Sequence, residues 1–307
     1  MAIANAFTRF ARDDRKVALL FLLPGLAVLV LTYLFPLIYS LVLSFSEWDI
    51  RKPGSRFEPV GFDNYADILT DSDFWAAGWR STVYSVVSLP IQLVLGTLIA
   101  VLLTSPRVNS KLGAFTRITM LIPLMLPPVV LGILWRLILN VNYGPANHIL
   151  GLVGFGPLSF VSSAETALAT AIFVEVLANT SVVVMILIGG ILALPPDPLR
   201  AAEVDGAGPW RILLEIKLPQ LASYYLIIIL IRVMDLLKTF DFIYALTGGG
   251  PGSSTIVFNL FIYREGQRFL NYPGASAASW VFLVALLPLS FWLLRKAVRP
   301  TDTYLND

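Results

Sequence analysis

Cysteine is absent from the chain, and histidine occurs once, at His148. The first absence excludes disulfides and thiolate metal sites. The second closes most routes to a zinc centre or a serine–histidine–aspartate triad. Charge is scarce as well. Asp, Glu, Lys and Arg make up 14% of the 307 residues, against about 25% in ordinary soluble domains. No Gly-Lys-Ser/Thr sequence closes a glycine-rich loop, so the chain carries no phosphate cradle of its own. Gly248, Gly249 and Gly250 with Pro251 read as a turn instead. His148 and Glu165 share one loop with no third partner, too little for catalysis.

Apolar residues fill the gap. They form 57% of the chain, with a mean hydropathy of +0.76. A helix needs about 20 apolar residues to cross the hydrocarbon core. Six segments meet that length: 17–45, 82–103, 118–139, 167–192, 221–237 and 275–294. The first is too long for a signal-peptide core and lacks a small-residue cleavage site, so it is expected to be retained. The reading is an all-α membrane protein with six transmembrane helices.

Orientation follows from Lys and Arg in the short flanks. Arg9, Arg12, Arg15 and Lys16 precede the first span, and Arg107, Lys111 and Arg117 surround the second connection. Arg295, Lys296 and Arg299 follow the last. These flanks are predicted to be cytoplasmic, with both termini inside. Segments 47–80, 140–166 and 238–274 then lie outside, and the first of these is acidic. The organisation expected is an arm (1–16), which lies along the inner surface or is merely solvated, a membrane domain (17–297) and a tail (298–307).

Charged groups inside spans are costly and face a cavity or a partner. Arg136, Glu175, Arg232 and Asp235 fall at similar depth in this scheme. Asn179 lies one turn from Glu175 on the same face, and Arg232 and Asp235 are spaced to pair. Two readings stay open: ion pairs that lock helices, or a polar cavity for a hydroxyl-rich solute. Tyr33, Tyr84, Trp135 and Tyr244 are either interface anchors or flat faces for a sugar. Pro90, Pro123, Pro127 and Pro128 are expected to break or kink the second and third spans.

The connection between the fourth and fifth spans, residues 195–219, is polar and small-sided. Asp197 is a good N-cap and Pro198 a good first residue, so a short helix is predicted from 198 to 205. Gly206 ends it with positive φ. A second helix starts at Gly208-Pro209 and runs to 217, where Leu218-Pro219 stops it and begins the fifth span. Ala201, Ala202 and Ala207 keep the surface thin. Trp210, Ile212, Leu213 and Ile216 offer apolar anchors of the kind that dominate interfaces. An amphipathic loop lying on headgroups would share these features.

The stretch "AAEVDGAGPWRILLEIKLPQ" (201–220) resembles the EAA loop of permease subunits from ATP-binding-cassette (ABC) importers. Small residues (Ala201, Ala202), Asp205-Gly206-Ala207 and Ile216-x-Leu218-Pro219 stand at that loop's spacing. Arg200 departs from it, because the family places Glu there. "LLPGLAVLVLTYLFPLIYSLVLSF" (22–45), "VGFDNYADIL" (60–69) and "FDFIYALTGGGPGSST" (240–255) resemble other parts of the same family, near its maltose and glycerol 3-phosphate permeases. The resemblance implies a bacterial inner-membrane subunit, surrounded by lipid, that pairs with a second permease. It implies two ATPase subunits that hold ATP and Mg²⁺, and an extracytoplasmic solute-binding protein. The loop at 195–219 would dock on an ATPase as coupling helices, the solute would be a carbohydrate or derivative, and no cofactor in this chain or nucleic-acid partner is implied. The alternative is a stand-alone secondary transporter of a polar solute, which predicts internal repeats that the sequence does not show.

Overall fold

The computed structural model describes residues 14–52, 54–105 and 108–298. Arg9, Arg12, Arg107 and Arg299, most of the predicted arm and nearly all of the predicted tail lie outside these residues. The described residues fall into two compact units, one over 14–70 and 262–282, the other over 71–261 and 283–298.

The first unit opens with α1 (Asp14–Leu29), a π-helical turn at Val30–Leu34 and α2 (Phe35–Ser44). Together they give one apolar helix over Phe21–Ser44, long enough to cross a membrane. A short antiparallel pair follows, β1 (Ser46–Glu47) with β2 (Glu58–Pro59). In the loop between them Arg51 bonds Asp49 at 2.8 Å and holds its carboxyl below the usual range. Then comes α3 (Asp63–Thr70). The Gly-x-x-Asn-Tyr stretch has a physical purpose here. Gly61 takes a positive φ of 65°. The Asn64 amide donates to the carbonyls of Ser44 and Ser46, each at 3.0 Å. The Ser44 carbonyl is a group that a helix end leaves without an intrahelical partner, and Ser46 opens β1. Tyr65 hydrogen-bonds the Ser44 hydroxyl at 2.7 Å.

The second unit is built on α4 (Ser72–Leu103) and α8 (Ala167–Leu192). The α4 helix starts ten residues earlier than predicted, because the Asp71 side chain accepts from the Asp73 N–H at 2.8 Å and caps it. It also runs through Pro90 without the break that is one of the two outcomes expected there. The two helices approach closely at Gly96, where an added Cβ would sit 2.5 Å from Val183 Cγ1.

The third predicted span is broken, as its prolines suggest. The pair α5 (Ser110–Met125) and α6 (Pro128–Ile138) bends by 101° at Leu126-Pro127. A short α7 (Pro145–Leu152) lies in the 140–166 connection. After α8 come α9 (Pro196–Val204), α10 (Pro209–Gln220) and α11 (Ala222–Leu237), with a 69° bend between the last two. The remaining helices are α12 (Asp241–Thr247), α13 (Phe258–Tyr263) and α14 (Tyr272–Val298). Gly248 at φ 65° ends α12, which is the turn expected of the glycine run.

Among the described residues, four helices are therefore long and apolar enough to cross a membrane, and two bent pairs add to them. The apolar core of this unit joins α8 to α11 through Leu187, Ile188 and Ile191 against Leu221 and Ile228.

Candidate functional site

Three helices place polar side chains together in an apolar setting. From α8 comes Glu175, from α4 Tyr84 and Gln92, and from α11 Arg232. The Arg232 guanidinium pairs with Glu175 through one terminal nitrogen and donates from Nε to Gln92 Oε1 at 3.1 Å. Its other terminal nitrogen meets Asp235 at 3.3 Å. The second Glu175 oxygen accepts from the Tyr84 hydroxyl at 2.9 Å. Gln92 donates to both the side chain and the carbonyl of Glu175, each at 3.3 Å. The side chains of Arg232 and Glu175 are only 3% and 8% exposed, and Gln92 and Tyr84 are fully buried. Each charge is thus paired and hydrogen-bonded, the condition under which a buried charge is tolerated.

Beside this network lies a cavity of about 410 Å³. The helix break supplies one wall with Pro123, Leu124, Leu126 and Pro128. Leu131, Phe240 and Phe242 add to the apolar lining, and Glu175, Asn179, Arg232, Asp235, Lys238, Thr239 and Asp241 supply its polar groups. Asp235 is about half exposed, so it reaches the open side while Arg232 stays behind. Lys238 is exposed and forms no ion pair among the described residues.

Glu175, Asn179, Arg232 and Asp235, named from sequence, meet here. The ion pair forms, and a cavity opens beside it. Two predicted members do not join. Arg136 on α6 is exposed and does not line the cavity. Tyr244 on α12 stacks on Phe240, with ring centroids 5.5 Å apart, and also stays outside it. Tyr33 lies open, Trp135 packs edge-on against Phe173 at 6.3 Å, and Tyr84 is too buried to offer a face. Sequence reasoning missed Gln92, Lys238, Thr239 and Asp241. Gln92 was detectable as an amide two residues past Pro90 in an otherwise apolar run.

The 195–219 segment is the other candidate. The first short helix begins at Pro196 rather than Pro198, which moves Asp197 from the cap into the first turn. There its carboxylate still complements the helix dipole. Gly206 has φ 79° and open space around it, as its role requires. The second helix does not stop at Leu218-Pro219. It passes through a π-helical stretch at Ile212–Lys217 and ends at Gln220. Pro219 has no N–H to give the preceding turn, and a π turn absorbs that loss. Of the predicted anchors, Ile212 and Leu213 turn inward and are buried. Trp210 stays exposed, joined by Val204 and Leu214. Arg200, Ala201, Asp205 and Pro219 are exposed, while Ala202, Ala207, Ile216 and Leu218 are half-buried. Exposed Arg211 and Glu215 pair at 2.9 Å.

The chain is 34% identical over 296 residues to the probable ABC transporter permease protein y4oQ of Sinorhizobium fredii, covering 96% of this chain and 94% of that one. It is 29% identical over 282 residues to the sulfoquinovosyl glycerol transport system permease protein SmoG of Agrobacterium fabrum, covering 92% and 90%. A crystal structure of a bacterial ABC transporter that imports the acidic polysaccharide alginate contains a chain of the same fold. Its TM-score is 0.79 at 22% identity, covering 97% of this chain and all of the other. Residues 92–300, which hold both the polar cavity and the short-helix segment, match the family described as the inner membrane component of binding-protein-dependent transport systems, and the chain belongs to that family.

Proposed function

We propose that the chain is one of two permeases of an ABC importer for a carbohydrate or sugar derivative. The observation that carries this reading is the polar cavity of about 410 Å³ beside the proline-broken α5–α6 pair. Discontinuous helices beside a polar cavity are a recurring way to pass a solute across a membrane. Each bent pair counts as one span in this reading, which gives six, with 195–219 on the cytoplasmic side and both termini inside. A solute-binding protein delivers the solute from outside, and two ATPase subunits hold ATP and Mg²⁺. The relative that carries sulfoquinovosyl glycerol supports a glycoside as the cargo.

The cavity's polar face suits a hydroxyl-rich molecule. Asn179, Asp235, Thr239 and Asp241 present donors and acceptors. Arg232 is engaged by Glu175, Gln92 and Asp235. Lys238 is therefore the cation at the cavity best placed to meet an anionic substituent. Motion arrives through 195–219: Arg200, Ala201, Ala202, Asp205, Gly206, Ala207 and Trp210 form the surface an ATPase would grip, and Ile216, Leu218 and Pro219 link it to α11. Arg200 stands where relatives of this loop carry Glu, so any ion pair with the ATPase there has reversed polarity.

The test is solute uptake by the reconstituted transporter. Uptake is expected to need ATP and the binding protein. Gly206→Val forces a β-branched residue into positive φ, so it should insert normally and lose uptake. Normal uptake by Gly206→Val overturns this role for the segment.

A further inference from the structure

The Glu175–Arg232 pair joins the two helices that flank the 195–219 segment, at the end far from that segment. The near end is pinned differently. An added Cβ at Gly190 would lie 2.9 Å from Leu221 and 3.0 Å from the Tyr224 ring, so α8 and α11 touch closely there. Gly190 and Glu175 are 15 residues apart, about 22 Å along α8 at helical rise. The hairpin is thus held at both ends. Apolar packing between the two points permits sliding. A buried charge pair does not, because displacement strands a charge in a low-dielectric setting.

We propose that Glu175, Arg232 and Gln92 are a fixed joint that makes α8 and α11 move as one body. Motion received at 195–219 then reaches the cavity wall instead of dissipating as slip between helices. This rests on the transport reading above. We assign the joint residues a positioning role: Gln92 is fully buried and outside the cavity lining, and the ion pair borders the cavity with only 3% and 8% of its side-chain surface exposed. Asp235, half exposed and bonded to Arg232, carries the joint's position to the cavity surface. Gln92 ties the pair to α4, which backs both helices and is bound to α11 again where the hydroxyls of Thr97 and Tyr225 meet at 2.6 Å.

The test uses the complete transporter in proteoliposomes and reads solute moved per ATP hydrolysed, normalised to assembled complex. Glu175→Gln keeps the shape and removes the charge. It should keep ATP hydrolysis and lower solute per ATP by at least about fivefold, the lower end of typical coupling between sites. Tyr84→Phe, a milder change to the same carboxylate, should lower the ratio less and covers the case in which Glu175→Gln does not assemble. Asp235→Asn should raise KM for the solute with a smaller change in the ratio. An unchanged ratio in Glu175→Gln and Tyr84→Phe overturns the joint. So does a fall in transport matched by an equal fall in hydrolysis, which marks a purely structural pair. A change confined to KM overturns it too, by making Glu175 a solute contact. Wild-type uptake without ATPase subunits overturns the transport reading itself, and the two failures are thereby distinguishable.

Discussion

The helix over Phe21–Ser44 and the helix over Ala167–Leu192 are almost equally apolar, yet their surroundings are opposite. In its most apolar window the first has 6% of its residues buried and the second 67%. What separates them is the few residues that are not apolar. The first holds Thr32, whose hydroxyl bonds the Val28 carbonyl of its own helix at 2.7 Å, and an exposed Tyr33, and its one fully buried polar residue, Ser44, stands at its very end. The second holds Glu175, Thr180 and Ser181, all buried, and Gly190 against Leu221 and Tyr224. Hydropathy reports that a helix suits lipid. Small and polar residues report that it has a protein neighbour.

Substitutions at matched positions sharpen this contrast. The largest effect is expected for Glu175→Ala, which leaves Arg232 buried without its main partner. Removing one member of such a pair costs about 3–5 kcal/mol, to be read as lost thermal stability of the purified protein. Tyr84→Phe removes one hydrogen bond to a carboxylate and is expected to cost about 1.5–3 kcal/mol in the same assay. Gly96→Val drives a side chain into Val183, an overpacking expected to cost about 1–3 kcal/mol. Gly25→Val in the first helix has nothing within 4 Å to meet and should shift stability by no more than about 0.5 kcal/mol. A large loss from Gly25→Val, or none from Gly96→Val, would break the comparison.

Much of this was legible in the sequence. Apolar run length located every long helix, and the Leu126-Pro127 break followed from proline chemistry. The helix–glycine–helix segment and its positive-φ Gly206 were also readable. Charges in apolar runs pointed to Glu175, Arg232 and Asp235, because burying a charge needs a reason. The rest depended on three-dimensional neighbours. Gln92 is neutral, so its cost in an apolar run is small and its signal weak. Lys238, Thr239 and Asp241 follow α11 in what reads as an ordinary polar loop. Nothing local shows that this loop folds back on the helix break. Arg136 carried the same sequence signal as Arg232 but lies exposed, since a shift of one or two positions along a helix decides which face a residue takes. The end of α10 was misplaced because Leu218-Pro219 reads as a stop, whereas a π turn lets the helix continue three residues further.

A permease of this kind works inside an importer and not alone. The most direct test is purification from its native membrane in mild detergent, with mass spectrometry of what accompanies it. A second permease and an ATPase subunit are expected in stoichiometric amounts. A chain that purifies alone, and moves solute in liposomes without ATP, would contradict it.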